Sequence, residues 1–130
     1  MIFAEHGVCE VKVDGKLLLV DATGPFNEEF IKHYQRVLET SIEHLETSQW
    51  HQIVTFHQMS IFTPEAEEAL TQSLINRRSR GLVACGVVIA DVECKSLVQE
   101  QMSRCYNKAE VEHQYFSSIT NAKEWANQLV

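Results

Sequence analysis

Six histidines are the residues of this chain that most invite a chemical role, since imidazole binds metal ions and transfers protons near neutral pH. His33 and His44 fall on one predicted helix and are separated by about 16 Å along its axis. His51 and His57 fall near the two ends of one predicted strand, about 20 Å apart. A metal site needs ligands that converge on one ion, so this spacing favours ordinary polar or partly buried histidines over metal ligands.

The four cysteines also lack the spacing of a metal or redox site. No two of Cys9, Cys85, Cys94 and Cys105 form a Cys-x-x-Cys pair. A nucleophilic cysteine needs an exposed and electropositive environment, whereas Cys85 lies inside the apolar run 82–90. We therefore expect buried or half-buried thiols in a reducing compartment, which is typical of a cytoplasmic protein.

Motifs of catalysis and nucleotide binding are missing from the sequence. It contains no Gly-x-Ser-x-Gly elbow, no Walker loop and no Gly-x-Gly-x-x-Gly turn. Asp21 follows an apolar run, where ligands often bind in open α/β sheets, but a loop carboxylate that closes a turn is the simpler interpretation. We therefore expect a protein that is not an enzyme, with no catalytic residue, no cofactor and no metal.

Composition and charge narrow the class of protein further. A chain of 130 residues with 45% hydrophobic residues is typical of one globular domain, here residues 1–130. Its 18 acidic and 11 basic side chains give a net charge of −7, which disfavours binding to nucleic acid. The basic cluster of Arg77, Arg78 and Arg80 is too small to follow a phosphate backbone.

Targeting and membrane segments are not indicated. Residues 1–13 lack the basic and apolar regions of a signal peptide, so we expect none. The longest apolar-rich runs, 16–22 and 82–90, are too short to cross a bilayer, so we expect no membrane insertion. Both observations agree with the expected cytoplasmic location.

Hydrophobic periodicity divides the chain into predicted elements in the order β-β-α-β-α-β-α-β-α. Apolar and polar residues alternate in the first strand, and Asp14-Gly15 is a two-residue hairpin signal. The run 82–90 has no polar alternation, which predicts a central strand covered on both faces. Strands that alternate with helices predict an α/β fold with a mostly parallel sheet of about five strands and four helices. The predicted strands are 9–13, 17–20, 50–56, 82–90 and 112–117, and the predicted helices are 28–46, 64–78, 92–106 and 122–129.

Capping residues place the starts of the helices. Asn27 and Thr63 precede acidic first turns, and a proline at the first position supports the second of these starts. Asp91 and Asn121 are predicted to cap the third and fourth helices. The residues expected to face inward on these last two helices are Leu97, Val98, Met102 and Cys105, and then Ala122, Trp125, Ala126 and Leu129.

Three stretches of the chain match the residue classes of a known family. They are the opening hairpin with residues 19–27, the strand, turn and helix of residues 53–74, and the ending Tyr115-Phe116-x5-Ala122-x2-Trp125. Over nearly the whole chain they resemble the STAS domain of anti-sigma-factor antagonists, in particular the compact SpoIIAA-like group of stand-alone bacterial domains. The resemblance implies a SpoIIAA-like fold and a regulatory module, not an enzyme, that binds a protein partner.

The sequence departs from that family at the start of the second helix. Signalling members carry an Asp-Ser-Ser-Gly-type turn there, and a partner kinase phosphorylates its serine. This chain reads Phe62-Thr63-Pro64-Glu65-Ala66, so Pro64 and Glu65 occupy the serine positions. Thr63 keeps a hydroxyl, which an N-cap explains better than a phosphate acceptor does. We therefore expect no phosphorylation switch at this turn.

The candidate partner-binding surface comprises five residues in and next to the same turn. In the resembling family this surface contacts the partner protein, and the stretch 57–62 offers apolar side chains for such contact. In the alternative interpretation, Ile61 and Phe62 pack beneath the second helix as a hydrophobic staple. The five candidate residues are Met59, Ile61, Phe62, Thr63 and Glu65.

Two other functions stay open at this point. A small-molecule or lipid carrier, suggested by the similarity in shape between this fold and CRAL-TRIO domains, needs an apolar cavity of several hundred Å³. A small hydrolase or transferase needs titratable groups that converge in a cleft. The sequence also leaves the oligomeric state open, a homodimer included.

We predict that the purified protein holds no structural metal, because no pair of candidate ligands has chelating spacing. Elemental analysis of protein prepared without an affinity tag should find zinc far below one ion per chain. A stoichiometric zinc content would contradict this prediction.

Overall fold

A sheet with the strand order β1-β2-β3-β4-β5 is the framework of the protein. The computed structural model describes residues 7–129. Residues 1–13 were expected not to form a signal peptide, and the first six of them lie outside the described residues. The predicted α/β class, the five strands, the four helices and their order along the chain are confirmed. The strands are β1 (Val8–Asp14), β2 (Leu17–Thr23), β3 (Trp50–Gln58), β4 (Leu82–Val92) and β5 (Glu112–Phe116), and the helices are α1 (Glu28–Leu45), α2 (Pro64–Ser79), α3 (Lys95–Ala109) and α4 (Ile119–Gln128).

The sheet is antiparallel at one edge and parallel elsewhere. β1 pairs with β2 through a two-residue turn at Gly15 and Lys16, one residue later than the predicted Asp14-Gly15. The strands β2 to β5 run parallel, and a helix joins each of them to the next. Right-handed crossovers between adjacent parallel strands place α1, α2 and α3 on one face of the sheet. α4 covers the opposite face, where it packs on β3, β4 and β5.

The larger core lies between the sheet and the three crossover helices. The ring of Phe26 lies 4.8 Å from that of Phe30 and 4.8 Å from that of Phe62, measured between centroids. The backbone N–H of Phe26 donates to the carbonyl of Ile61 (2.9 Å), and the N–H of Thr63 donates to the carbonyl of Phe26 (3.1 Å). The segments that lead into α1 and α2 therefore pair side by side, which places the N-termini of the two helices next to each other.

The smaller core lies between the sheet and α4, and it explains the aromatic ending of the chain. Phe116 of β5 packs against Trp125 of α4, with ring centroids 5.4 Å apart. The Trp125 ring lies over Gly86 of β4, where an added Cβ atom would come within 3.1 Å of the ring. Gly86 therefore lets α4 approach the sheet closely. The buried residues of this core are Ile53, Val88, Ala122 and Ala126.

β4 is an interior strand, but it is not the middle one. It pairs with β3 on one side and with β5 on the other, whereas β3 occupies the middle of the sheet. Residues 84–89 are all buried, which agrees with the prediction of a strand covered on both faces. Val83, near the start of the strand, is 39% exposed.

The predicted start of the third helix is wrong. Asp91 belongs to β4 and does not cap α3, which begins at Lys95. The residue before the helix, Cys94, has a φ of +53° and offers no side-chain cap. The register between β3 and β4 shifts between Thr55 and His57, so β4 accommodates an extra residue and extends beyond its apolar run.

The fourth helix starts earlier than predicted. Ser118, and not Asn121, caps α4, and its hydroxyl accepts a hydrogen bond from the Asn121 N–H (3.1 Å). Leu97 and Leu129 were predicted to face inward, but they are 40% and 46% exposed. Both lie at a helix end, whereas inward residues of a helix interior, such as Val98, are buried as predicted.

The first two helix caps are confirmed. The side chain of Asn27 accepts a hydrogen bond from the N–H of Phe30 (2.8 Å), and that of Thr63 accepts one from the N–H of Ala66 (3.1 Å). Among the helices of residues 7–129, none is both long enough and apolar enough to pass through a membrane.

We predict that Val88→Asp abolishes folding. Val88 is buried beneath α4, so an introduced carboxylate would have no partner there. Such a group costs several kcal/mol, which approaches the whole stability of a domain, about 5–15 kcal/mol. Circular dichroism on heating should show no cooperative transition. The matched control is Val83→Asp in the same strand, which should fold because its side chain is already exposed; a Val88→Asp protein with an unchanged melting temperature would contradict the prediction.

Candidate functional site

Two aspartates and a histidine meet at the carboxyl ends of β2, β3 and β4. Nε2 of His57 lies 2.9 Å from an oxygen of Asp21, and its Nδ1 lies 3.0 Å from an oxygen of Asp91. In open α/β sheets this is the edge at which ligands most often bind. We refer to these three residues as the Asp21–His57–Asp91 cluster.

The strand register explains why these residues meet. Thr23 pairs with His57 across β2 and β3, so Asp21 and His57 project from the same face of neighbouring strands. On the other side, His57 lies opposite Asp91 because of the register shift in β4. Asp21 is therefore a strand residue that bonds His57, and its interpretation as a loop carboxylate that closes a turn is wrong.

The two carboxylates favour the protonated form of His57. Each ring nitrogen faces an aspartate oxygen, so an imidazolium can donate to both carboxylates, whereas a neutral imidazole can donate to only one. The hydrogen bond to Asp21 is the main cause that raises the pKa of His57 above its usual range; the bond to Asp91 adds to it, and partial burial opposes it. The His57 side chain is 29% exposed, so solvent moderates the effect.

The cluster links three strands and is poorly suited to acid–base chemistry. A general base or a metal ligand needs a ring nitrogen that faces a substrate or an ion, and both nitrogens of His57 face carboxylates. The nearby hydroxyl of Ser60 donates to the backbone carbonyl of His57 (2.6 Å) and not to its ring. Across residues 7–129, no three His, Cys, Asp or Glu side chains are placed to hold a metal ion.

Of the five predicted partner-binding residues, Phe62 is part of the core. It is only 7% exposed, and the side-chain amide of Gln101 bonds both its backbone N–H (3.0 Å) and its carbonyl (2.9 Å). Phe62 therefore packs as the staple interpretation expects and offers no side-chain surface to a partner protein. The candidate residues that keep half-exposed or exposed side chains are Met59, Ile61, Thr63 and Glu65.

Hydrogen bonds and a close backbone contact fix the segment of residues 59–65, which we call the 59–65 turn. The hydroxyl of Ser60 accepts from the N–H of Gly24 (3.1 Å) and donates to the carbonyl of His57 (2.6 Å). Gly24 approaches the turn so closely that an added Cβ atom would lie 2.6 Å from the carbonyl oxygen of Met59. The turn is therefore preorganised, which lowers the entropy cost of binding a partner.

A shallow acidic pocket of about 450 Å³ adjoins the 59–65 turn, between the N-termini of α1 and α2. Its ionised groups are three carboxylates and the ammonium of Lys32, which pairs with Glu28 at 3.4 Å. A groove of about 1040 Å³ continues from the pocket between the two helices. The pocket presents net negative charge to solvent. Its lining residues are Asn27, Glu28, Glu29, Lys32, Thr63 and Glu65.

The three arginines of the predicted basic cluster do not form one surface patch. Arg77 is fully buried, and Arg78 is exposed. Arg80 forms ion pairs with Glu39 (2.9 Å) and Glu46 (2.6 Å). The closeness of these residues in sequence therefore overstated the positive charge that they present to a polyanion.

The thiols follow the sequence prediction with one exception. Cys9, Cys85 and Cys105 are buried, but Cys94 is exposed at the start of α3. Burial raises the pKa of Cys85 to about 12, so this thiol stays protonated at neutral pH. A protonated and buried thiol is not a nucleophile, which agrees with the interpretation of Cys85 as a core residue.

The void in the larger core is far smaller than a lipid or small-molecule carrier needs. It measures about 30 Å³, which is room for one or two water molecules. Small-molecule sites measure roughly 300–1,000 Å³. The packing of the core therefore gives the carrier function no support.

We predict that the Asp21–His57–Asp91 cluster makes stability depend on pH. The pKa of His57 is raised in the folded protein, so its contribution is complete below the pKa of an unfolded histidine, about 6.5, and is lost as the pH rises through the folded value. Wild type should exceed His57→Gln in free energy of unfolding by about 1 kcal/mol at about pH 5.5, and the difference should shrink by about pH 8. Urea unfolding of both proteins across this range measures the difference.

Comparing wild type with His57→Gln at each pH separates the contribution of His57 to the free energy of unfolding from the contributions of other titratable groups. His51 acts in the opposite direction, because burial lowers its pKa and the unfolded chain binds its proton more readily at low pH. This contribution is the same in wild type and in His57→Gln, so it cancels. A difference in stability that is constant, or that grows as the pH rises, would show that the two carboxylates do not favour the imidazolium.

Known proteins do not identify the chain. No protein-family model, no curated protein and no solved structure matches it. The likeness to STAS domains therefore stands on the residues quoted for it and on the order of the elements, and the role of each site follows from its geometry.

Proposed function

We propose that this chain is a protein-interaction or regulatory module of SpoIIAA-like type, without catalytic activity, that works in the cytoplasm. Its partner binds at the 59–65 turn and in the adjoining acidic pocket. The observation that carries the proposal is the pairing of Phe26 with Phe62, which brings the N-termini of α1 and α2 together beside exposed carboxylates.

The layout of the elements supports the SpoIIAA-like part of the proposal. The chain opens with an antiparallel hairpin, continues as a parallel sheet and carries three crossover helices on one face. The 59–65 turn leads into α2 and includes its first two residues, the position at which the resembling family contacts its partner. Fold alone does not fix activity, so the choice of surface rests on charge and exposure.

The charge of the acidic pocket favours a partner that presents a basic segment. Glu28, Glu29 and Glu65 lie in the first turns of α1 and α2, where the helix dipoles stabilise negative charge. Carboxylates held in this way attract lysine and arginine side chains and speed the encounter with a basic partner. Met59 and Ile61 are half-buried and add apolar surface next to the charge.

The same turn is built to bind without phosphorylation. The hydroxyl of Thr63 already accepts a hydrogen bond from the Ala66 N–H, and a phosphate there would disturb this cap. Pro64 has no hydroxyl, and Glu65 places a permanent negative charge at the helix N-terminus. A constitutive carboxylate therefore stands where signalling members of the resembling family carry a switchable phosphate.

A pull-down from native extract, read by mass spectrometry, tests the proposal. Wild type is compared with the double variant Met59→Asp, Glu65→Lys, which removes apolar surface and reverses a charge without touching the core. Leu97→Asp on α3 is the matched control, because Leu97 is an exposed apolar residue outside the 59–65 turn and the acidic pocket. Circular dichroism must first show that all three proteins are folded.

Wild type and the control should capture the same partner, and the double variant should capture it about tenfold less efficiently. Capture by wild type should weaken as the salt concentration rises, since added ions screen the attraction between the charges. Equal capture by all three proteins would place the binding surface elsewhere. Phosphate found on Thr63 in cells would show that binding at this turn is switchable.

A further inference from the structure

The outer side of β1 is an open edge of the sheet. β1 pairs with β2 on one side, and none of the described strands pairs with it on the other. Its seven residues contain no proline and pair with β2 without a bulge, so the strand is regular along its whole length. An edge of this kind offers free backbone N–H and C=O groups, to which a strand of another chain can add.

The hairpin decides which backbone groups of β1 point outward. The two residues that flank a two-residue turn form a hydrogen-bonded pair, which here is Asp14 with Leu17. Hydrogen-bonded and non-hydrogen-bonded pairs alternate along an antiparallel ladder, so every second residue counted back from Asp14 bonds β2. The intervening residues turn their N–H and C=O groups away from the sheet, and they are Cys9, Val11 and Val13.

The charges along this edge complement a second copy of themselves. The side chains of Glu10 and Lys12 are exposed, and strand alternation places them on the same face of the sheet. When two copies of β1 pair antiparallel about a two-fold axis at Val11, Glu10 of each copy lies opposite Lys12 of the other. Opposite charges directly across two strands stabilise the pairing. β5, at the other edge of the sheet, has Glu112 as its one permanently charged side chain and forms no such pairs.

The neighbouring registers of the same two strands are disfavoured. A two-fold axis at Glu10 sets the two copies of Glu10 against each other. An axis at Lys12 opposes the two lysines and also sets Glu10 against Asp14, and like charges directly opposite each other are destabilising. Val11 is the middle residue of β1, so the axis at Val11 also pairs all seven residues. Charge and overlap therefore select the same register.

Apolar side chains line the opposite face of this edge, on the side of α1. Val11 and Val13 are only partly buried against the larger core. Val37 of α1 is 40% exposed and lies about 200° around the helix from Gln35, which lines the groove towards α2. Val37 therefore lies on the other flank of α1, the helix that contacts β1. Pairing at the edge would remove more of this apolar surface from water.

We propose that the outer edge of β1 binds a second copy of this chain, so that two five-stranded sheets join into one. The backbone of Val11 bonds that of Val11 in the other copy, and the backbone of Cys9 bonds that of Val13 at two symmetric places. One strand pair is small beside the roughly 1,200–2,000 Å² of stable interfaces, so we expect a weak dimer with a Kd of about 10–100 µM. None of the residues that line the acidic pocket belongs to β1, so this proposal does not rest on the proposed function.

Sedimentation equilibrium of the full chain tests the proposal at concentrations from about 1 µM to 1 mM, which bracket the expected Kd. Wild type should show a reversible monomer–dimer equilibrium that weakens as added salt screens the charge pairs. Val11→Pro should be folded and monomeric, because proline removes an outward N–H and leaves the ladder to β2 intact. Circular dichroism checks that this variant is folded, and the charge variants below test the edge even where it is not.

Charge variants assign the contact to β1 and determine its register. Lys12→Glu alone or Glu10→Lys alone sets like charges opposite each other at both symmetric positions and should weaken the dimer about tenfold or more. An equimolar mixture of the two variants should regain the affinity of wild type, because a strand with two acidic side chains then pairs with a strand with two basic ones. Lys95→Glu on α3 is the matched control, with the same change of charge at an exposed position, and should dimerise as wild type does.

Amide hydrogen exchange, measured by nuclear magnetic resonance, shows where the two chains meet. The amides of Val11 and Val13 should exchange quickly at low concentration and become protected as the concentration rises through the Kd. The amides of Glu10 and Lys12 bond β2 and should be protected at every concentration. An alternating pattern of this kind is expected only when the outer edge of β1 pairs with another strand.

Four results would overturn the proposal. The first is a chain that stays monomeric up to about 1 mM, well above the expected Kd. The second is a dimer whose strength neither single charge variant changes, and the third is a mixture of the two variants that does not recover. The fourth is protection that grows with concentration at β5 in place of β1, which would locate the contact at the other edge of the sheet.

Discussion

The arrangement of α1, α2 and the sheet depends on one buried cation. Arg77 of α2 is fully buried, and none of the ion pairs formed within residues 7–129 includes it. Neutral groups take the place of a counterion: its guanidinium donates to the side chains of Gln52 in β3, Tyr34 in α1 and Ser73 in α2, and lies 5.5 Å from the centre of the Tyr34 ring. A buried charge without such partners would cost more than a domain of this size can offset, so these three elements must hold their polar groups in register around the guanidinium.

This network connects the core to the surface on which a partner is proposed to bind. The hydroxyl of Ser73 bonds Arg77 on its inner side and the side chain of Gln35 in α1 on its outer side, and both Ser73 and Gln35 line the groove between the helices. The distance between α1 and α2 is therefore set by polar contacts on the side that faces the sheet and not by apolar packing alone. Because the same two helices begin side by side at the acidic pocket, the shape of that pocket depends on a charge buried deep beneath it.

Local patterns predicted the elements well and the sites poorly, for a physical reason. The order of strands and helices and the caps at Asn27 and Thr63 follow from residues within a few positions of each other. The partners of His57 lie 34 and 36 residues away, and the bond to Asp91 exists because a register shift in β4 moves that residue into place. Arg77 lies in the last turn of α2, where a cation suits the helix dipole, but that local rule does not show that the tertiary fold turns this face of α2 towards the sheet.

The two histidines of β3 show why residue type alone does not predict the surroundings of a side chain. His51 and His57 share one strand and, by its alternation, one face of the sheet. At the carboxyl edge the neighbouring strands bring a carboxylate to each nitrogen of His57, so its hydrogen-bonding capacity is used within the fold. At the opposite edge α4 and the hairpin turn bury His51, and its Nε2 has no hydrogen-bond partner within residues 7–129. The partners that the surrounding elements supply to each ring nitrogen therefore decide that His57 joins three strands and that His51 is only enclosed by them.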